Sequence, residues 1–144
     1  MGATKRGKGT KIMAIADRNG FPVALWATSA TPHESQLVIG LLAQSSLIKR
    51  PSRLIGDRAY DSDILDSKCK NLGIELIAPH RCNRKKPSQD RRPLRRYSRR
   101  WKVERLFSWL QNYRRLVTRY EYYIDNFQAL LHFAGFMILA NRYL

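Results

Sequence analysis

The stretch RLIGDRAYDSDILDSKCKNLGIELIAP, residues 53–79, decides the fold class. It opens with the apolar pair Leu54 and Ile55 and then reaches Gly56 and Asp57. A short buried strand over residues 53–57 reads this way, presenting its last side chain at a sheet edge. Ile64, Leu65 and Leu72 next supply the apolar side of a helix over residues 63–70, which Asn71 to Gly73 stop before a strand at 74–78. Strand, helix and strand in succession imply an α/β domain.

Upstream, KIMAIAD (residues 11–17) and FPVALWATSA (residues 21–30) are β-prone runs parted by Arg18, Asn19 and Gly20. Asn-Gly between such runs predicts a hairpin, and Asp17 belongs to its turn, where Asp bonds locally, rather than to a metal site. Thr31 and Pro32 open a helix with Leu37, Leu41 and Leu42 on its apolar side and Lys49 to Pro51 at its end; His33 is a cap neighbour. Downstream, residues 79–96 lose the apolar pattern and hold Pro87 and Pro93 among Lys and Arg, which predicts a flexible basic loop. A helix over 97–119 follows, with Val103, Leu106, Phe107, Leu110 and Val117 at helical spacing. Tyr97, Arg100, Glu104, Ser108 and Gln111 form the neighbouring polar stripe, so Glu104 borders the buried face. Trp101 and Trp109 lie off the main stripe; packing against the last helix is expected of them, with base stacking as the rival use. Asp125 or Asn126 caps a final helix over 127–144, apolar nearly all round and expected to be buried, with His132 as a core histidine.

The chain has 144 residues, enough for one domain with a core, and its net charge is +16. The charge is concentrated: residues 81–119 hold fifteen Lys and Arg against Asp90 and Glu104. With Tyr97, Trp101, Trp109 and Tyr113 interleaved, that segment points to a nucleic acid more than to a solvated face. Cys69 and Cys82 lack paired zinc spacing, and His33, His80 and His132 are scattered, so a reduced cytoplasmic protein is expected. The leader MGATKRGKGTK has no apolar run, and residues 129–140 are too few to span a bilayer, so no membrane partner is expected.

A carboxylate among cations is the chemical signal. Cations around Glu104, namely Arg99, Arg100, Lys102 and Arg105, would attract a phosphate backbone, and an acid there suggests metal-assisted phosphoryl chemistry. Asp57 at a strand end is the second candidate. Two-metal catalysis needs such hard oxygen ligands around ions roughly 4 Å apart. The residues alone leave another reading open: Asp57 as a turn residue and Glu104 as the ion-pair partner of Arg100.

The strand end GDRAYD (residues 56–61), the pattern Tyr97-x-x-Arg100-x-x-x-Glu104 within WKVERLFSWL, and the order of elements resemble the DDE transposases of bacterial insertion sequences. The resemblance runs from KRGKGTKIMAIAD to the last helix and implies a ribonuclease H-like mixed sheet flanked by helices. It makes Asp57 the second acid and Glu104 the third, both catalytic and metal-binding through Mg²⁺ or Mn²⁺. Tyr97 and Arg100 match the family's helix signature, near the DNA backbone. That signature usually carries Lys where this chain has Gln111, which keeps its place in the DNA-binding set with Arg91, Arg92, Arg95, Arg96, Lys102 and Arg105.

In the family the first acid comes from a central strand upstream of KRGKGTK, and this chain starts only a few residues before that segment. The resemblance thus implies the C-terminal part of a transposase catalytic domain, lacking its first central strand, over residues 1–144. The complete enzyme would cut transposon ends with metal-activated water and join the freed 3′ hydroxyl to target DNA, its two-metal site forming only there. Double-stranded DNA, a second copy or a complementing upstream segment are the expected partners, in the nucleoid. The alternative is a catalytically inactive DNA-binding fragment that inhibits or complements a full-length transposase. A ribosomal-type RNA binder explains the charge but not Asp57 and Glu104.

Overall fold

In the computed structural model, residues 2–4, 7–45, 50–82, 84 and 95–143 are described. Asn19 and Gly20 make the hairpin turn the sequence predicts. Strand β2 (Gly7–Ala16) pairs antiparallel with β3 (Pro22–Ser29) in a register running from Thr10 opposite Ser29 to Ala16 opposite Pro22. Gly20 has φ of 88°, open to glycine at little cost, and Asp17 Oδ1 accepts the N–H groups of Asn19 and Phe21 at 2.8 Å each. Asp17 is a turn residue, as its place predicts. A short strand, β1 (Gly2–Thr4), lies along Gly7–Gly9 on the far edge of β2.

Alternation along the hairpin buries both of its faces. Ile12, Ala14, Leu25 and Ala27 pack on one side against Leu106, Phe127, Leu131 and Ile138; Met13, Ile15 and Ala24 pack on the other against Leu37 and Leu41. Those partners belong to helix α1 (Glu34–Ala43) on one face, and on the other to α3 (Trp101–Gln111), α4 (Arg114–Val117) and α5 (Ile124–Tyr143). The layers are helix, sheet and helix, an α/β arrangement. His33 is the N-cap of α1, its ring accepting the Ser35 N–H at 3.3 Å; the helix ends at Ala43, short of the expected Lys49.

The strand–helix–strand unit forms where the sequence places it. Strand β4 (Arg53–Ile55) and strand β5 (Glu75–Ile77) pair in parallel, joined by a 3-10 turn (Arg58–Tyr60) and helix α2 (Asp63–Asn71), with Ser62 as N-cap. Arg53 and Glu75 stand opposite in register and form an ion pair of 2.7 Å. Leu54 and Tyr60 reach the same core as Met13 and Leu37, so α1 covers both sheets. The strands nevertheless pair into two sheets rather than one mixed sheet among the described residues.

Three expectations are corrected. The helix over 97–119 is broken into a 3-10 segment (Arg95–Arg100), α3 and α4, because Asn112 and Tyr113 leave the helix; Val117 becomes 64% exposed. The last helix starts at Ile124, so Asp125 sits in its first turn rather than capping it. That helix buries one face only: Phe133 and Phe136 are exposed, and His132 is exposed at the edge of β3 rather than in the core. The Gln128 side chain caps that edge, accepting the Ala27 N–H at 2.6 Å and donating to Leu25 O at 2.9 Å. No helix among the described residues is long and apolar enough to cross a membrane.

Candidate functional site

Asp57 follows β4 by two residues. Gly56 continues the strand pairing through its N–H to Ile77 O, and a Cβ on Gly56 would meet the Tyr60 ring at 2.7 Å, so only glycine lets the chain turn there with the ring folded back. Asp57 is the N-cap of that turn, its Oδ1 accepting the Ala59 N–H at 2.8 Å. Burial, and then the negative charges of Glu34 and Asp57, push the Tyr60 hydroxyl up to about 12. Glu34 in turn pairs with Lys11 at 3.6 Å.

Tyr97, Arg100 and Glu104 are brought together. The Arg100 guanidinium lies 5.6 Å from the Tyr97 ring centre and donates to Glu104 Oε1 at 2.6 Å, one helical turn away. Glu104 is exposed, its side chain 54% accessible. Gln111 is exposed at the far end of α3. The 3-10 segment before α3 packs against β4, so the strand that leads to Asp57 meets the segment that leads to Glu104. Each carboxylate is engaged within its own element, and no hydrogen bond or ion pair joins the two acids among the described residues.

The cations divide by partner. Lys102 donates to Arg18 O and Arg105 to Asn19 O, both on the β2–β3 turn. Arg105 also lies between two indoles, 4.8 Å from Trp101 and 4.9 Å from Trp109. Trp109 stacks on Phe21, whereas Trp101 stays 50% exposed, which corrects the expectation that it packs against the last helix. Arg95 is exposed and Arg96 half-buried; Arg91 and Arg92, like most of the expected basic loop, lie outside the described residues.

Asp61 is the residue whose role the sequence did not disclose. Its carboxylate, 7% exposed, accepts from His80 Nδ1 at 2.9 Å, the Arg81 N–H at 2.8 Å and Arg84 Nη1 at 2.6 Å. Burial alone would raise its pKa, but the Arg81 N–H, the His80 ring and the Arg84 guanidinium hold it below the ordinary value. Arg81 also donates to Arg58 O and Ala59 O, the carbonyls of the turn that Asp57 caps. The start of the basic segment is thereby tied to that turn. The N-cap of the following helix is Ser62, so Asp61 takes no part in starting it.

A model of the Transposase DDE domain family matches residues 1–139. The chain belongs to the DDE transposase family. A protein of Burkholderia cepacia, provisionally named as a transposase for insertion sequence element IS402, is 28% identical to it over 141 residues. That match covers 92% of this transposase chain and 64% of the relative, so the chain spans less than two thirds of the relative's length. No solved structure matches this DDE chain.

Proposed function

We propose that this chain is the C-terminal part of a ribonuclease H-like DDE catalytic domain that acts on double-stranded DNA in transposition, with Asp57 and Glu104 as two of its metal-binding acids. The packing of β4 against the segment 95–100 carries the reading, because it sets the lead-in to one acid against the lead-in to the other. Tyr97, Arg100, Arg95, Arg96, Arg91, Arg92, Lys102, Arg105 and Gln111 make up the proposed DNA-facing set.

Both acids offer the hard oxygens that Mg²⁺ or Mn²⁺ takes. Their number falls short: among the described residues no group of three or more His, Cys, Asp or Glu could hold a metal ion. No chemical step is therefore assigned to this chain alone. In the proposal the first acid arrives on an upstream strand supplied in cis, in trans or by a second copy. Among the described residues β1 pairs with β2 only as far as Gly9, and β4 pairs with β5 on one side, which leaves strand edges for it. In the complete enzyme, bound metal would activate the attacking oxygen and stabilise the leaving one.

The test restores an upstream segment and measures strand transfer together with thermal unfolding. Asp57→Asn and Glu104→Gln should each abolish strand transfer while keeping the fold and DNA binding. Retained strand transfer in Glu104→Gln would overturn the reading.

A second reading, a catalytically inactive DNA-binding fragment, is favoured by one observation: both acids already have structural work, Asp57 as a cap and Glu104 in an ion pair. It is separated from the first by failure of any upstream segment to restore strand transfer.

A further inference from the structure

Strands β4 and β5 run parallel, so the chain leaving Ile77 departs from the same sheet edge as the chain leaving Ile55. Asp57 and Arg81 lie just past those two exits. Between them stands the 3-10 turn Arg58–Tyr60. A turn that short is costly to form alone, because few hydrogen bonds repay the backbone it orders, so its ends need partners. Each end has one. At the start Asp57 Oδ1 accepts the Ala59 N–H at 2.8 Å; at the finish Arg81 Nε donates to Arg58 O at 3.1 Å and Arg81 Nη2 to Ala59 O at 2.9 Å.

The Ala59 N–H and the Arg58 carbonyl belong to one planar peptide unit and point to opposite sides of it. Asp57 therefore holds that plane by its donor, and Arg81 holds it by its acceptor. We infer that Arg81 is a positioning residue for Asp57: its guanidinium fixes the 58–59 peptide, and that peptide fixes the Asp57 carboxylate. With Oδ1 bound in this way, Oδ2 is the oxygen left to act, and no hydrogen bond or ion pair engages it among the described residues. The inference rests on the proposed role of Asp57 and adds a residue outside the proposed DNA-facing set.

Arg81 is suited to this place and held in it. Its planar fork of donors meets two carbonyls at once, a geometry that a Lys ammonium does not reproduce. A cation on Arg58 O also polarises the peptide, which strengthens the Ala59 N–H as a donor to Asp57. The Arg81 N–H in turn donates at 2.8 Å to Oδ2 of Asp61, whose side chain is only 7% exposed and is also bonded to His80 and Arg84. The Asp61 N–H donates to Arg58 O at 3.3 Å, so anchor and guanidinium converge on the same carbonyl. The guanidinium is thus committed to the turn, which sets Arg81 apart from a cation that waits for phosphate.

Amide NMR of the 144-residue chain reads this peptide directly. In Arg81→Ala the Ala59 amide proton should move upfield and exchange roughly tenfold faster, the factor set by the net strength of one hydrogen bond, while amides of the β2–β3 hairpin stay in place. Arg81→Lys should do the same, and it decides where Arg81→Ala fails to fold. An Ala59 amide unchanged in the variant that folds would overturn the inference. Strand-transfer kinetics with an upstream segment restored give a second arm. There Arg81→Ala should lower kcat by roughly 10- to 100-fold with KM for DNA unchanged, as misplacing a group at the reacting centre does. A raised KM with kcat intact would make Arg81 a DNA contact and overturn the inference as well. Absence of strand transfer in the restored wild type would count against the proposed function, and the Ala59 amide would still decide whether Arg81 positions Asp57.

Discussion

Arg100 donates to Glu104 at 2.6 Å across one turn of α3, and both side chains are in part open to water. An exposed pair at this spacing contributes only about 0.3–0.5 kcal/mol, because solvent screens the charges and holding two long side chains costs entropy. Arg100→Ala should therefore lower the unfolding temperature by no more than ~2 °C in a chain of this size. A loss equivalent to more than about 1 kcal/mol would show that the pair is part of a tighter network than its exposure implies.

Asp61 should behave differently. Removing one partner of a largely buried, multiply bonded carboxylate leaves its donors unmatched, and Asp61→Asn is expected to cost about 2–3 kcal/mol, less than a fully buried pair because Arg84 is part exposed. The pH dependence follows from the sign of the shift. The folded pKa is depressed, so the contribution is whole above the ordinary value of 3.8 and is lost as pH falls through the lower folded value. Denaturant unfolding below pH 4 should narrow the gap between wild type and Asp61→Asn. A gap that stays constant there would show that the carboxylate is not the source of the stability.

Arg105 offers a test of structure against DNA contact. Its guanidinium stacks between Trp101 and Trp109 and bonds the hairpin turn, so Arg105→Lys keeps the charge but loses the planar stack. Stability should fall by about 1–2 kcal/mol while the salt dependence of DNA binding stays unchanged. Gly20→Val should be worse, since φ of 88° disfavours a branched residue and its Cβ would meet Arg105 Nη2 at 2.6 Å. Wild-type stability in both variants would remove the clamp from the account.

DNA binding should report the basic segment as a whole. Each neutralised phosphate contributes about −0.9 to the slope of log affinity against log salt. Replacing Arg91, Arg92, Arg95 and Arg96 together by Ala should weaken binding to all sequences alike and make that slope shallower by up to about 3.6. A slope unchanged by the four substitutions would place the phosphate contacts elsewhere.

Local pattern was enough for much of the fold. Alternation at 11–17 and 21–30 with Asn19-Gly20 between them specifies a hairpin, because both the two-residue period and the positive φ at Gly20 are properties of neighbouring residues. The strand–helix–strand over 53–78 was readable for the same reason, as was the closeness of Tyr97, Arg100 and Glu104, although the first two stand in the 3-10 segment before α3 rather than on one continuous helix. What the chain does at a distance was not. Asp61 meets His80, Arg81 and Arg84 across a helix and a strand, and Arg105 reaches the carbonyl of Asn19 from 86 residues away. Such contacts carry no period. Apolar content likewise told which residues of α5 could be buried, but only the packing of β3 on one side decided that Phe127 and Leu131 are inside and Phe133 and Phe136 outside. Periodicity records what each residue shares with its helix or strand; which face is covered, and which cation is already bonded, depends on the partner that the rest of the chain brings to it.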